Sequence, residues 1–237
     1  PCSVTIVSLP TEAAQAWVTD LVQNNSIRLS APVEFIAYTV DSAPFSSDAA
    51  LGLKVDALNS AYIVTTFDEA FANPEVAVTA VFDNTTVTIT PSNDLDGGQL
   101  AGVPFNVVLN RGEGYFFTGS TGGNGGLAGT IVVSDKPVSV TNGNTCTQVP
   151  LGTAYCDHIY EQAQPVATWG TKVFAVNLAN RPSGTVYRVV SAEDGNDILL
   201  DGVSQGVLNR GQFLQIGPIP DAHVIEGSKP IFATQFM

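Results

Sequence analysis

One pattern occurs three times in this chain, and it constrains the fold more than any other feature. Its fullest copy is residues 129–144, GTIVVSDKPVSVTNGN. Residues 222–232, AHVIEGSKPIF, form a second copy, and residues 26–40, SIRLSAPVEFIAYTV, a more degenerate third. Each runs from an apolar stretch through a polar segment ending in proline to a second alternating stretch. Proline presets φ and cannot donate to a ladder, so each copy predicts a hairpin with proline at its last turn position. Threefold recurrence predicts a repeat protein built from antiparallel hairpins.

Composition supports short strands. Only 13% of the 237 residues are charged, while 22 are Gly and 14 Pro. Helices need Glu, Lys and Arg on their wet face; turn-rich chains of low charge suit strands better. A net charge of −13 opposes binding to nucleic acid or to anionic lipid, both of which need a basic face. No apolar run reaches the length of a spanning helix, so membrane insertion is not expected. The opening PCSVTIVSLPTEA has no basic n-region and reads as an interior stretch of a longer precursor.

Cys146 and Cys156 flank a loop containing Pro150 and Gly152, and they predict a short disulfide-closed loop in an oxidising compartment. Cys2 is left over, free or paired with a group outside the chain. Together with an unpaired strand edge near the N-terminus, it offers a route to self-association.

In chain order, residues 3–9 read as a strand, and residues 10–23, with Trp17 and Val18 at helical spacing, as a short helix. Residues 41–48 read as a Ser/Pro/Asp loop. Hairpins are expected around Asp83-Asn84-Thr85-Thr86 and around Glu193-Asp194-Gly195-Asn196. Leu109-Asn110-Arg111-Gly112 recurs as Leu208-Asn209-Arg210-Gly211, which assigns Arg111 and Arg210 a shared structural task. The chain divides into a partial first repeat (1–44), a second (45–147) and a third (148–237), which can pack as one compact domain. The fold class is all-β, with sandwich-like units or, as the alternative, propeller blades.

Asp157, His158 and Glu161 form the densest polar cluster. They read as a structural loop in which His158 bonds backbone and Glu161 satisfies amides, with a metal or acid–base site as the alternative. His223 reads as a histidine satisfied at a turn. Asp94 and Asp96, in NDLDG, could serve calcium as alternate oxygen donors or simply shape a turn. Trp169 reads as core rather than as a sugar platform. There is no Gly-x-Ser-x-Gly, and the glycine-rich residues 119–126 lack the lysine of a phosphate loop, so no catalytic residue is assigned.

The succession Ser134-Asp135-Lys136-Pro137, Cys146, Cys156-Asp157-His158, Glu161-Gln162 and Trp169-Gly170 resembles the IgGFc-binding protein N-terminal domain family. Members occur in mucin-associated secreted animal proteins and in large bacterial surface proteins. The resemblance is strongest over residues 62–236, and residues 42–50 depart from the pattern. It implies an extracellular, non-enzymatic recognition or adhesion module that binds a protein or glycan partner through loops such as residues 41–48 and 119–126. A structural spacer or filament subunit is the alternative.

Overall fold

The computed structural model describes residues 4–10, 17–44, 46–67, 72–119 and 126–236. Its hub is strand β9, Ile131–Thr147. The repeated stretch is therefore not a hairpin, because the chain stays extended through Ser134-Asp135-Lys136-Pro137. The first half of β9 pairs with β6 (Thr85–Thr90), Val87 opposite Ser134, and with β4 (Asn59–Ile63), Ile63 opposite Ile131. Its second half pairs with β5 (Pro74–Ala80), Val78 opposite Val140, and with β10 (Asp157–Gln162), Glu161 opposite Asn142. Asp135, Lys136 and Pro137 lie between these registers, at the corner where the strand leaves one set of partners for the other. A residue without an N–H costs no ladder bond there. Lys136 Nζ donates to the Asp83 and Asn84 carbonyls at 2.6 and 2.7 Å, fastening the β5–β6 turn to the corner.

Strand β16, His223–Phe236, is built alike. Its first half pairs with β13 (Asn196–Leu200) and β11 (Gly170–Ala175), its second half with β12 (Thr185–Ser191). Lys229 Nζ donates to the Asp194 carbonyl across the β12–β13 turn. Outer strands complete each set. β7 (Phe105–Leu109) joins β6 and β8 (Gly114–Thr118) joins β5. In the other set β14 (Val203–Leu208) joins β13 and β15 (Phe213–Ile219) joins β12. Strand starts in the two sets stand 111 residues apart at 59 and 170, 74 and 185, 85 and 196. Arg111 and Arg210 act alike through their backbone, each N–H donating to Asp83 or Asp194 Oδ1 at 3.0 and 2.9 Å.

Burial follows the alternation of the strands. β5, PEVAVTA, turns Val76, Val78 and Ala80 into a core with Tyr62, Ile89 and Phe117, leaving Glu75, Ala77 and Thr79 half-buried. β12, TVYRVVS, is buried on both faces. Tyr187 and Val189 enter a second core with Ile198 and Ile225, while Val186 meets Phe67 and Phe236 in a joint between the sets. Val186 and Val190 stand where β5 carries Glu75 and Thr79, so apolar residues on both faces of β12, around Arg188, are the sequence signature of that second burial. The sets also touch backbone to backbone. Gly129 and Gly211 have φ of +90° and +79°, and a Cβ on Gly129 would lie 2.2 Å from the Gly211 carbonyl oxygen.

The two hairpins expected around Asp83-Asn84-Thr85-Thr86 and Glu193-Asp194-Gly195-Asn196 do not form, because the long strand β9 lies between β5 and β6 and β16 between β12 and β13. The N-terminal readings also need correction. Residues 4–9 carry no strand pairing, and residues 26–36 form no hairpin. The hairpin is instead β2 (Ala37–Ala43) with β3 (Ser46–Gly52), across the stretch read as a loop. Alternating small and polar residues can pair as well as apolar ones once a neighbour offers partners. No helix forms at residues 17–23. Asp20 takes φ 62°, and β1 (Val22–Gln23) adds to the edge of β8 while Trp17 packs on Phe116. Residues 11–16 of the expected helix, Cys2 and residues 120–125 of the glycine-rich loop lie outside the described residues.

Gly129→Ala combines a left-handed backbone with a clash against a carbonyl, so it is expected to destabilise the fold by about 2 kcal/mol or more. Gly152→Ala, at a positive φ with open space around it, is expected to cost only about 1 kcal/mol. Urea unfolding of both variants checks the ranking.

Candidate functional site

Strand alternation breaks up the predicted Asp157–His158–Glu161 cluster, because His158 points opposite to Asp157 and Glu161. His158 Nδ1 lies 2.7 Å from Asp41 Oδ2 on β2, and Nε2 lies 2.8 Å from Glu75 Oε1 on β5. Its ring stacks on Tyr160 at 5.3 Å. The hydrogen bond to Glu75, followed by that to Asp41, outweighs burial and lifts the imidazole to about 9. At neutral pH it is an imidazolium donating from both nitrogens, with no lone pair to act as a base. It acts as a clamp joining β2, β5 and β10. Beside it Ser46 Oγ and Asp48 Oδ2 accept the main-chain N–H groups of His158 and Tyr160 at 2.9 and 2.8 Å. β3 is thus bound to the outer edge of β10 by side chains. Glu161 turns toward that strand, where burial raises its carboxyl above the usual range. Neither Asp41 nor Glu75 was foreseeable as a partner, since each lies far from His158 in sequence.

Asp94 and Asp96 lie on either side of buried Leu95 and serve their own loop. Asp94 Oδ1 accepts from the Ala101 N–H at 2.8 Å. Asp96 Oδ2 accepts from Asn73 Nδ2 and Thr118 Oγ1, both at 2.9 Å. Among the described residues no group of three or more His, Cys, Asp or Glu is arranged to hold a metal ion. His223, the first residue of β16, places Nδ1 2.6 Å from Asp201 Oδ2 in the β13–β14 turn. Trp169 is half-buried rather than core. It stacks on Phe232 at 5.4 Å and its Nε1–H donates to the Gln164 carbonyl at 3.2 Å.

The expected disulfide forms. Cys146 and Cys156 are bridged with Cα atoms 5.2 Å apart. The closed loop exposes Leu151 and Tyr155, Tyr155 at 87%. Beside it runs an open groove of about 290 Å³, lined by Thr147, Val149, Tyr155, Asp157, Ile159 and, from the other strand set, Arg181. Thr147 is buried in this wall, and its Oγ1 has no hydrogen-bond partner among the described residues. That oxygen has almost no accessible surface, like Gln99 Oε1 and Thr234 Oγ1, which also lack a partner among the described residues, so the polar groups a ligand can reach here are those of Tyr155, Asp157 and Arg181. Asp157, read at first as part of the histidine cluster, belongs here.

Fold and site together define an antiparallel all-β module with a disulfide-closed loop beside an open groove. The chain belongs to the IgGFc binding protein family, whose pattern matches residues 48–237. No curated protein and no solved structure gives a match. No helix among the described residues is long and apolar enough to cross a membrane.

The clamp has a pH signature. A histidine raised from 6.5 to about 9 contributes stability that is complete below pH 6.5 and lost as pH rises through 9. With Asp41 half exposed, the expected loss is on the order of 1–3 kcal/mol. Urea unfolding between pH 6 and 10 should show this decline, and His158→Gln should flatten it.

Proposed function

We propose that the chain is an extracellular, non-enzymatic recognition module that binds a protein or glycan partner at the groove beside the Cys146–Cys156 loop. The observation that carries this reading is Tyr155, 87% exposed on the disulfide-closed loop and lining one groove with Asp157 and Arg181. Tyrosine combines large apolar area with a polar tip at low entropic cost, and arginine adds planar donors; both dominate binding hot spots. A covalently closed loop loses little conformational freedom on binding. The disulfide also suits an oxidising compartment, as does membership of a binding family. The clamped His158 offers no base, which favours binding over catalysis.

A second reading, a structural spacer, is favoured by β2, which pairs with β3 on one edge only among the described residues; Tyr38 and Val40 on it and Ile36 just before it are exposed. The two readings separate in one experiment. The purified chain is screened against Fc, mucin glycoprotein and a glycan array, with and without a calcium chelator. Recognition predicts a saturable partner whose affinity falls at least about tenfold in both Tyr155→Ala and Arg181→Ala, with unfolding midpoints close to the parent. Binding that survives both substitutions excludes this groove as the site. Loss on chelation would assign Asp94 and Asp96 to calcium.

A further inference from the structure

The outward faces of β4 and β11 are the same surface at two places in the chain. Inward, Tyr62 and Val64 enter one core and Val173 and Ala175 the other. Outward, Ile63, Thr65 and Phe67 are 1%, 8% and 0% exposed, because β4 packs against the 3-10 turn Val166–Thr168 and Phe67 enters the joint with β12 and β16. Phe174, Val176 and Leu178 hold the corresponding places in and just beyond β11, yet they are 73%, 58% and 38% exposed. Three large apolar side chains in a row on one strand face mark an interaction surface.

We propose that this β11 face docks a further six-strand unit of the β11–β16 kind, seated as β11–β16 themselves sit on β4–β9. The existing joint specifies the chemistry of the occupant. It presents a strand buried on both faces, with outward apolar side chains on either side of one arginine. In the existing joint Arg188, between Val186 and Val190, donates to the Thr66 carbonyl at 2.7 Å. The corresponding acceptor on the open face is the Asn177 carbonyl. The second half of β16 carries a matching vacancy in pairing. The far side of β9 there is taken by β10, and the far side of β16 beyond Ile231 is unpaired among the described residues. The occupant therefore brings a β10-like strand as well. A second copy of this chain does not fit, because its β12 face is already covered by its own Phe67, and its β5 face carries Glu75 under the His158–Asp41 clamp.

The test extends the full chain after Phe236 by a second copy of its own residues 144–237, so that β10 and β11–β16 follow β16 as they follow β9. A Phe174→Cys substitution at the original position, in both the 237-residue and the extended chain, reports exposure by peptide-resolved thiol labelling. Labelling at least about tenfold slower in the extended chain is the expected result. Phe174→Glu should lower the unfolding midpoint of the extended chain and leave that of the 237-residue chain unchanged. Equal labelling in both chains overturns the proposal, and so does an added unit that stays unfolded while the first 236 residues fold. Sedimentation showing that the native chain self-associates, reversed by Phe174→Glu, would assign the face to a second copy and overturn it too.

Discussion

Arg188 holds this structure together at its middle. The side chain is 5% exposed, with its guanidinium carbon 4.3 Å from the Phe67 ring centroid and 4.7 Å from that of Phe213. Its Nη1 donates to the Thr66 carbonyl, just past β4. A buried cation is costly unless its donors are met and its charge has a polarisable surrounding, and a planar guanidinium between two rings meets both needs. The arginine sits on β12, one ring comes from beyond β4 and the other from β15. Together with the Phe67–Val186–Phe236 cluster and the Gly129–Gly211 contact, this residue sets how the two strand sets meet.

The candidate groove depends on that joint. Val149 and Ile159 line the groove and also pack against the Phe67–Val186–Phe236 cluster, while Arg181 reaches in from the β11–β12 connection. A shift at the joint would separate Arg181 from Tyr155 and Asp157. The disulfide holds the loop locally, and the joint holds the opposite wall. The N-terminal segment meets the β5 face by other means. Glu75 stands where Val186 stands on β12, so a charge clamp through His158 replaces apolar packing there.

Much of the succession of strands along the chain was legible in the sequence, and the errors have physical causes. The strands β5, β6, β12 and β13 were readable because β-branched alternation flanks Asp/Asn/Gly turns, but their pairing was not, since β9 inserts between β5 and β6 and β16 between β12 and β13. The Lys-Pro segments misled, since a polar break ending in proline describes a turn and a sheet-to-sheet corner equally well. Only tertiary partners distinguish the two. The N-terminal hairpin was missed because β2 and β3 are poor in β-branched residues and are held by Asp41, Ser46 and Asp48, whose partners on β10 lie more than a hundred positions away. The disulfide was legible from spacing alone. The groove was not, because its walls come from separate strand sets.

The most direct measurement compares unfolding of the two sets by single-tryptophan proteins. Trp17 packs against β8 and reports the β4–β9 set, while Trp169 stacks on Phe232 and reports the β11–β16 set. A joint fixed by Arg188 predicts coincident transitions for the two probes, which separate when Arg188→Ala is introduced into each protein. Distinct midpoints in the parent chain, or coincidence that survives Arg188→Ala, would contradict the account.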